Sequence, residues 1–86
     1  MKLHLGEGCA VKKAAIVGIF DMDTATVAPV TREFLKVCER GGSLAVATAE
    51  IPASFVIEKE DNGKLKVYLT RNAPRALSRR AGRFGL

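Results

Sequence analysis

Polar and apolar residues alternate from the start of the chain: Lys2, Leu3, His4, Leu5. A period of two predicts a short half-buried strand, ended by Gly6-Glu7-Gly8. A second apolar run, Cys9 to Phe20, finishes as AIVGIF, and its β-branched residues predict a buried strand. Gly18 within it marks a bulge or a close backbone approach. Lys12-Lys13 marks a kink or turn before that strand. Asp21-Met22-Asp23-Thr24 breaks it, and Thr24 or Thr26 is placed to cap a following helix, with Pro29 in the first turn.

Val30, Phe34, Val37 and Cys38 recur at i, i+4, i+7 and i+8, with Leu35 beside them, while Arg32, Glu33, Lys36, Glu39 and Arg40 take the other face. This predicts an amphipathic helix of about three turns, stopped by Gly41-Gly42. Ser43 to Ala49 reads as a strand with Leu44 and Val46 on one face, interrupted by Glu50-Ile51-Pro52-Ala53. Ser54 to Glu58 and Lys64 to Thr70 read as two more strands, joined by a hairpin at Glu60-Asp61-Asn62-Gly63. Pro74 suits the first position of a short C-terminal helix. In that helix Arg75, Arg79 and Arg83 stack beside a face of Leu77, Ala81 and Phe84, and the end frays from about Ala81. The fold class is α+β: a small single domain with a mixed or antiparallel sheet of about five strands, one main amphipathic helix and a short C-terminal helix, in the order β-β-α-β-β-β-α.

Charge changes this picture. Residues 1–70 hold nine Lys/Arg (Lys2, Lys12, Lys13, Arg32, Lys36, Arg40, Lys59, Lys64, Lys66) and nine acids (Glu7, Asp21, Asp23, Glu33, Glu39, Glu50, Glu58, Glu60, Asp61), so this compact α/β body is neutral. The whole net charge of +5 lies in residues 71–86, a basic C-terminal helix or tail of the same domain, with Arg71, Arg75, Arg79, Arg80 and Arg83 and no acid. A segregated basic end points to a polyanion, most simply nucleic acid. Lys12, Lys13, Arg32 and Lys36 form a secondary basic set, in which Arg32 and Lys36 share a mixed-charge helix face with Glu33 and Glu39. The few aromatic residues fall mostly at core positions, so no stacking platform for single strands is expected.

Size and residue chemistry narrow the classes further. An 86-residue chain buries only ~60–65% of its unfolded surface, which favours self-association. Cys9 and Cys38 show no metal spacing and read as reduced thiols of a cytoplasmic protein. No secretory leader and no membrane span are expected. His4, Glu7 and Cys9 do not converge as a metal set, Cys9 lacks a partner base, and Asp21/Asp23 read as helix N-terminal acids. No metal, cofactor, small-molecule substrate or enzymatic activity is expected.

The blocks LHLGEG, IVGIFDMDT, TREFLKVCERGG and IPASFVI followed by KVYL resemble, in order and over nearly the whole chain to about Thr70, the RemA/RemB family of bacterial extracellular-matrix (biofilm) regulators. The resemblance implies a compact chain that assembles into closed rings, binds DNA and acts on transcription of matrix genes. In the RemA branch, basic residues in the loop after the central strand are implicated in DNA contact. The matching stretch, Ala49-Glu50-Ile51-Pro52-Ala53, carries an acid and no base, so that site does not transfer. The expected partners are duplex DNA, held through the C-terminal arginines, and other copies of the chain in a homo-oligomer. The competing expectation is a protein-interaction or assembly module without direct DNA contact, in which Leu77 and Phe84 dock a partner. An RNA-binding reading shares the charge argument and lacks aromatic support.

Overall fold

A computed structural model describes residues 1–82. The elements are β1 (Lys2–Gly6), β2 (Cys9–Lys12), a 3₁₀ turn (Lys13–Ala15), β3 (Ile16–Asp21), α1 (Met22–Ala25), α2 (Pro29–Arg40), β4 (Leu44–Val46), β5 (Ser54–Lys59), β6 (Leu65–Thr70) and α3 (Pro74–Ala81). This is the expected α+β order, with β2 and the short α1 added. Among the described residues the strands form two sheets rather than one of about five strands. β1 and β2 make an antiparallel hairpin, and the second sheet runs β3-β5-β6-β4. That sheet is mixed, because β4 is parallel to β6 while the other pairs are antiparallel.

The separate hairpin follows from LHLGEG. Gly6, Glu7 and Gly8 take φ of 108°, 49° and 75°, a left-handed run that glycine adopts at little cost and that reverses the chain. A Cβ at Gly6 would also lie 3.1 Å from the Ala47 carbonyl oxygen. The hairpin then lies over one face of the main sheet. Leu3, Leu5 and Val11 join Ile16, Ile19, Val56, Tyr68 and Leu77 of α3 in one buried cluster. On the opposite face, Phe55 and Val67 pack with Cys38, against Phe34 and Leu35 of α2. A sheet covered on both faces needs no polar alternation, which is why Phe55, Val56 and Ile57 run together.

Gly18 behaves as expected: the β3–β5 register slips between Ile16, opposite Glu58, and Gly18, opposite Ile57. The Glu60–Gly63 turn also forms, with Glu60 N–H donating to the Lys64 carbonyl (2.7 Å) and Gly63 N–H to the Glu60 carbonyl (2.9 Å). Both cysteines are free thiols, Cys38 buried and Cys9 half-buried.

Three local expectations are corrected. Neither Thr24 nor Thr26 caps the main helix. Asp21 caps α1, accepting from the N–H of Asp23 (2.8 Å) and Thr24 (3.1 Å). α2 begins at Pro29 after Ala28, which makes no side-chain capping bond. Proline presets the first helical φ and holds the residue before it extended, so the start needs no side-chain acceptor. Second, Val30 (76% exposed) and Val37 (55%) lie outside the buried stripe. The inward residues Thr31, Phe34, Leu35 and Cys38 centre the stripe about 90–110° around the helix from both valines, at ~100° per residue. Third, the Ser43–Ala49 strand shortens to Leu44–Val46, although Ala47 N–H still donates to the Leu69 carbonyl (2.8 Å).

Candidate nucleic-acid interface

The C-terminal arginines sit on a helix built for its place. Pro74 is its first residue, and Gly82, with φ 83°, closes it by donating its N–H to the Ser78 carbonyl at 2.9 Å. A left-handed glycine at this position is a common helix stop. Arg79 and Arg80 lie in the last turn, where the helix dipole favours cations. Leu77 is fully buried (0% exposed) among Leu3, Leu5 and Ile19, so α3 is part of the core and not an appended tail. Ser78 is also buried, and its Oγ is the one buried side-chain polar atom among the described residues that lacks a hydrogen-bond partner.

Arg75, Arg79 and Arg80 are all exposed on α3. Arg80 Nε makes only a long contact, 3.5 Å, to the Ala76 carbonyl. Arg71 stands apart, in the loop before α3, and its Nη1 pairs with Glu50 Oε1 at 2.6 Å, with both side chains exposed. Arg83 and Phe84 lie outside the described residues.

The secondary basic residues divide between layers. Arg32 is committed to the backbone: its Nη1 donates to the carbonyls of Thr26 (2.6 Å) and Val27 (3.0 Å) and ties down the α1–α2 link. Lys36 is exposed on the same helix, where Arg40 pairs with Glu33 at 3.3 Å. Because α2 and α3 cover opposite faces of the sheet, Arg32 and Lys36 do not extend the α3 surface. Lys12 ends β2 of the hairpin and Lys13 opens the 3₁₀ turn after it. Lys12 lines a cavity with Glu60 and Asp61, and its N–H donates to Glu58 Oε2 at 3.2 Å, so acids share its surroundings.

Two features escape a reading of the linear chain. A polar cavity of about 310 Å³ opens beside Arg71, lined by Gly6, Glu7, Thr48, Glu50 and Asn72. Below it Thr70 Oγ1 (2.7 Å) and Asn72 Nδ2 (3.1 Å) both donate to the Leu5 carbonyl, fastening the hairpin to the sheet. The other is a wide apolar groove between β3, α1 and the start of α3. Among the described residues no His/Cys/Asp/Glu cluster has metal-binding geometry, and no helix is long and apolar enough to cross a membrane. No protein-family model and no curated protein matches the chain.

Proposed function

We propose that the chain is a DNA-binding regulatory protein of the RemA/RemB type, cytoplasmic and oligomeric, which grips the phosphate backbone through α3. The observation that carries this reading is the helix clamped by Leu77, which holds Arg75, Arg79 and Arg80 outward in a segment free of acids. The order of the blocks LHLGEG, IVGIFDMDT, TREFLKVCERGG and IPASFVI supports it as a family resemblance. Three cations on one short helix hold phosphate weakly. Copies repeated in a closed ring form a continuous basic band, and the linked contacts add through effective concentration. Backbone contacts carry little base information, so specificity comes from DNA bendability.

The test is a mobility shift with duplex DNA at two salt concentrations, comparing the full chain with Arg75/Arg79/Arg80→Ala. The expected result is retention that falls steeply with salt and is lost in the triple variant. Equal retention by both would remove α3 from the interface. Glu50→Gln should strengthen retention by freeing Arg71.

A second reading, an assembly module without DNA contact, draws on Val27, Val30, Val37, Val46 and Ile51, all more than half exposed. Leu77 is withdrawn from that reading as a docking residue, because it is sealed in the core. Light scattering on the full chain tests the self-association that both readings use. A stoichiometric protein partner with no retained duplex would favour the second.

A further inference from the structure

The groove beside α3 has a volume of about 580 Å³ and is lined by Ile19, Phe20, Asp21, Ala25, Pro74 and Arg75, with neighbours of the same elements. This falls within the ~300–1,000 Å³ of small-molecule sites. Its walls are chiefly apolar. Phe20 forms one of them, 37% exposed, with its ring set by stacking on Phe55 at a centroid distance of 5.0 Å.

Two charges stand on this apolar surface, and they differ in how far they are satisfied. The Asp21 carboxylate already accepts two amide N–H groups at the start of α1. Arg75 has no hydrogen bond or ion pair among the described residues. It also lies in the first turn of α3, where the helix dipole disfavours a cation, and that turn contains no acid and no side-chain cap. Among the described residues, the groove therefore offers one guanidinium without a hydrogen-bond or ion-pair partner next to an apolar wall, and one carboxylate that already accepts two amide N–H groups. The cavity beside Arg71 offers nothing similar, because its arginine is already paired with Glu50.

We propose that this groove binds a small amphiphile with an apolar body and a single carboxylate, and that the bound ligand acts as an effector by taking Arg75 out of the phosphate-contacting set. The body lies on Phe20, Ala25 and Pro74, and the carboxylate pairs with the Arg75 guanidinium. Asp21 sets the charge of the ligand: its carboxylate lines the same groove, so a second anionic group would be repelled and a monoanion is selected over a dianion. The site stands on the groove itself. Its regulatory consequence rests on the DNA-binding reading above.

The experiment uses the full chain and 2-naphthoate as the probe, with binding read by saturation-transfer NMR. The neutral 2-naphthamide and the dianionic 2,6-naphthalenedicarboxylate serve as comparison ligands. Naphthoate should bind at least about tenfold more tightly than either, as expected when one charge-assisted hydrogen bond is gained or opposed. Arg75→Gln should weaken naphthoate to the level of the amide. Ala73, just before α3, also lines the groove and is exposed, and Ala73→Leu should block all three ligands. Circular dichroism and the denaturation midpoint verify that both variants keep the fold. Equal binding of naphthoate and naphthamide, or unchanged binding in both variants, would overturn the site.

The DNA arm separates the two readings. Saturating naphthoate should lower the salt dependence of duplex retention as far as Arg75→Gln does, and should have no further effect on that variant. Naphthoate bound with retention unchanged overturns the effector role alone. Naphthoate bound by a chain that retains no duplex at all overturns the DNA-binding reading and the effector role, and supports the ligand site.

Discussion

The ring of Phe20 lies directly over Gly18: a Cβ built on Gly18 would fall 2.6 Å from ring atoms Cε2 and Cζ. The bulge in β3 and the stacked Phe20–Phe55 pair are thus one feature, in which a glycine leaves room for the aromatic ring two residues later. Gly18→Val should push the ring off Phe55. An aromatic pair contributes about 0.5–1.5 kcal/mol beyond its buried area, and a loss of that order should appear as a lower urea midpoint. An unchanged midpoint would mean that the ring moves without cost.

Leu77 and the arginines around it should separate cleanly in stability measurements. Leu77→Ala removes a fully buried side chain, and large-to-small changes of this type cost about 2–5 kcal/mol. Arg79→Ala, on the exposed side of the same helix, should stay within about 0.5 kcal/mol of the parent. Denaturant titration of both variants checks the contrast. Substitution is therefore a better probe of the proposed interface than truncation, since removing residues 71–86 would take Leu77 away with the charges.

Ser78→Ala should stabilise the protein. The Ser78 hydroxyl is buried without a hydrogen-bond partner among the described residues, and an unsatisfied buried group costs about 1–3 kcal/mol. Alanine also has the better helix propensity. A rise in thermal midpoint is expected, and a fall would mean that the hydroxyl has a partner in solution.

Tyr68 should dominate the alkaline limb of the stability profile. Burial, its hydrogen bond to Glu58 Oε1 at 3.0 Å and the charge of Glu58 push its phenol up to about 12. The neutral form is the one favoured by the fold. Its contribution is therefore fully present below about pH 10, the ordinary tyrosine value, and is lost as pH rises through about 12. The absorbance change at phenolate wavelengths should be delayed in the folded protein and should shift to lower pH in Glu58→Gln.

How much of this was legible in the chain differs from element to element. β6 and its turn were readable because period-two alternation and Asn62-Gly63 are local signals. The position of α3 was readable because proline and glycine punctuate both of its ends. The orientation of α2 was not, because Val30 and Val37 are as apolar as the residues that face the sheet. Only the position of the sheet decides which valines it leaves in solvent. The second sheet was hidden because the reversal at Gly6-Glu7-Gly8 places a glutamate in the left-handed region, where composition gives little warning. The candidate interface was legible as a charge count and a helical spacing. The Arg71–Glu50 pair spans 21 positions, and the groove joins the end of β3 to the start of α3, so both depend on tertiary placement.

The clamping of α3 by Leu77 has one further consequence. A disordered basic tail moulds itself to any polyanion, and its preference follows charge density alone. Side chains fixed to a helix that is continuous with the core present their charges at set intervals, about 6 Å along the axis from Arg75 to Arg79 at ~1.5 Å per residue. On the DNA-binding reading proposed above, such a surface would act as a template. It would reward a polymer whose phosphates recur at a matching pitch, and gain less from a flexible polyanion of equal charge, which must give up its own freedom to fit.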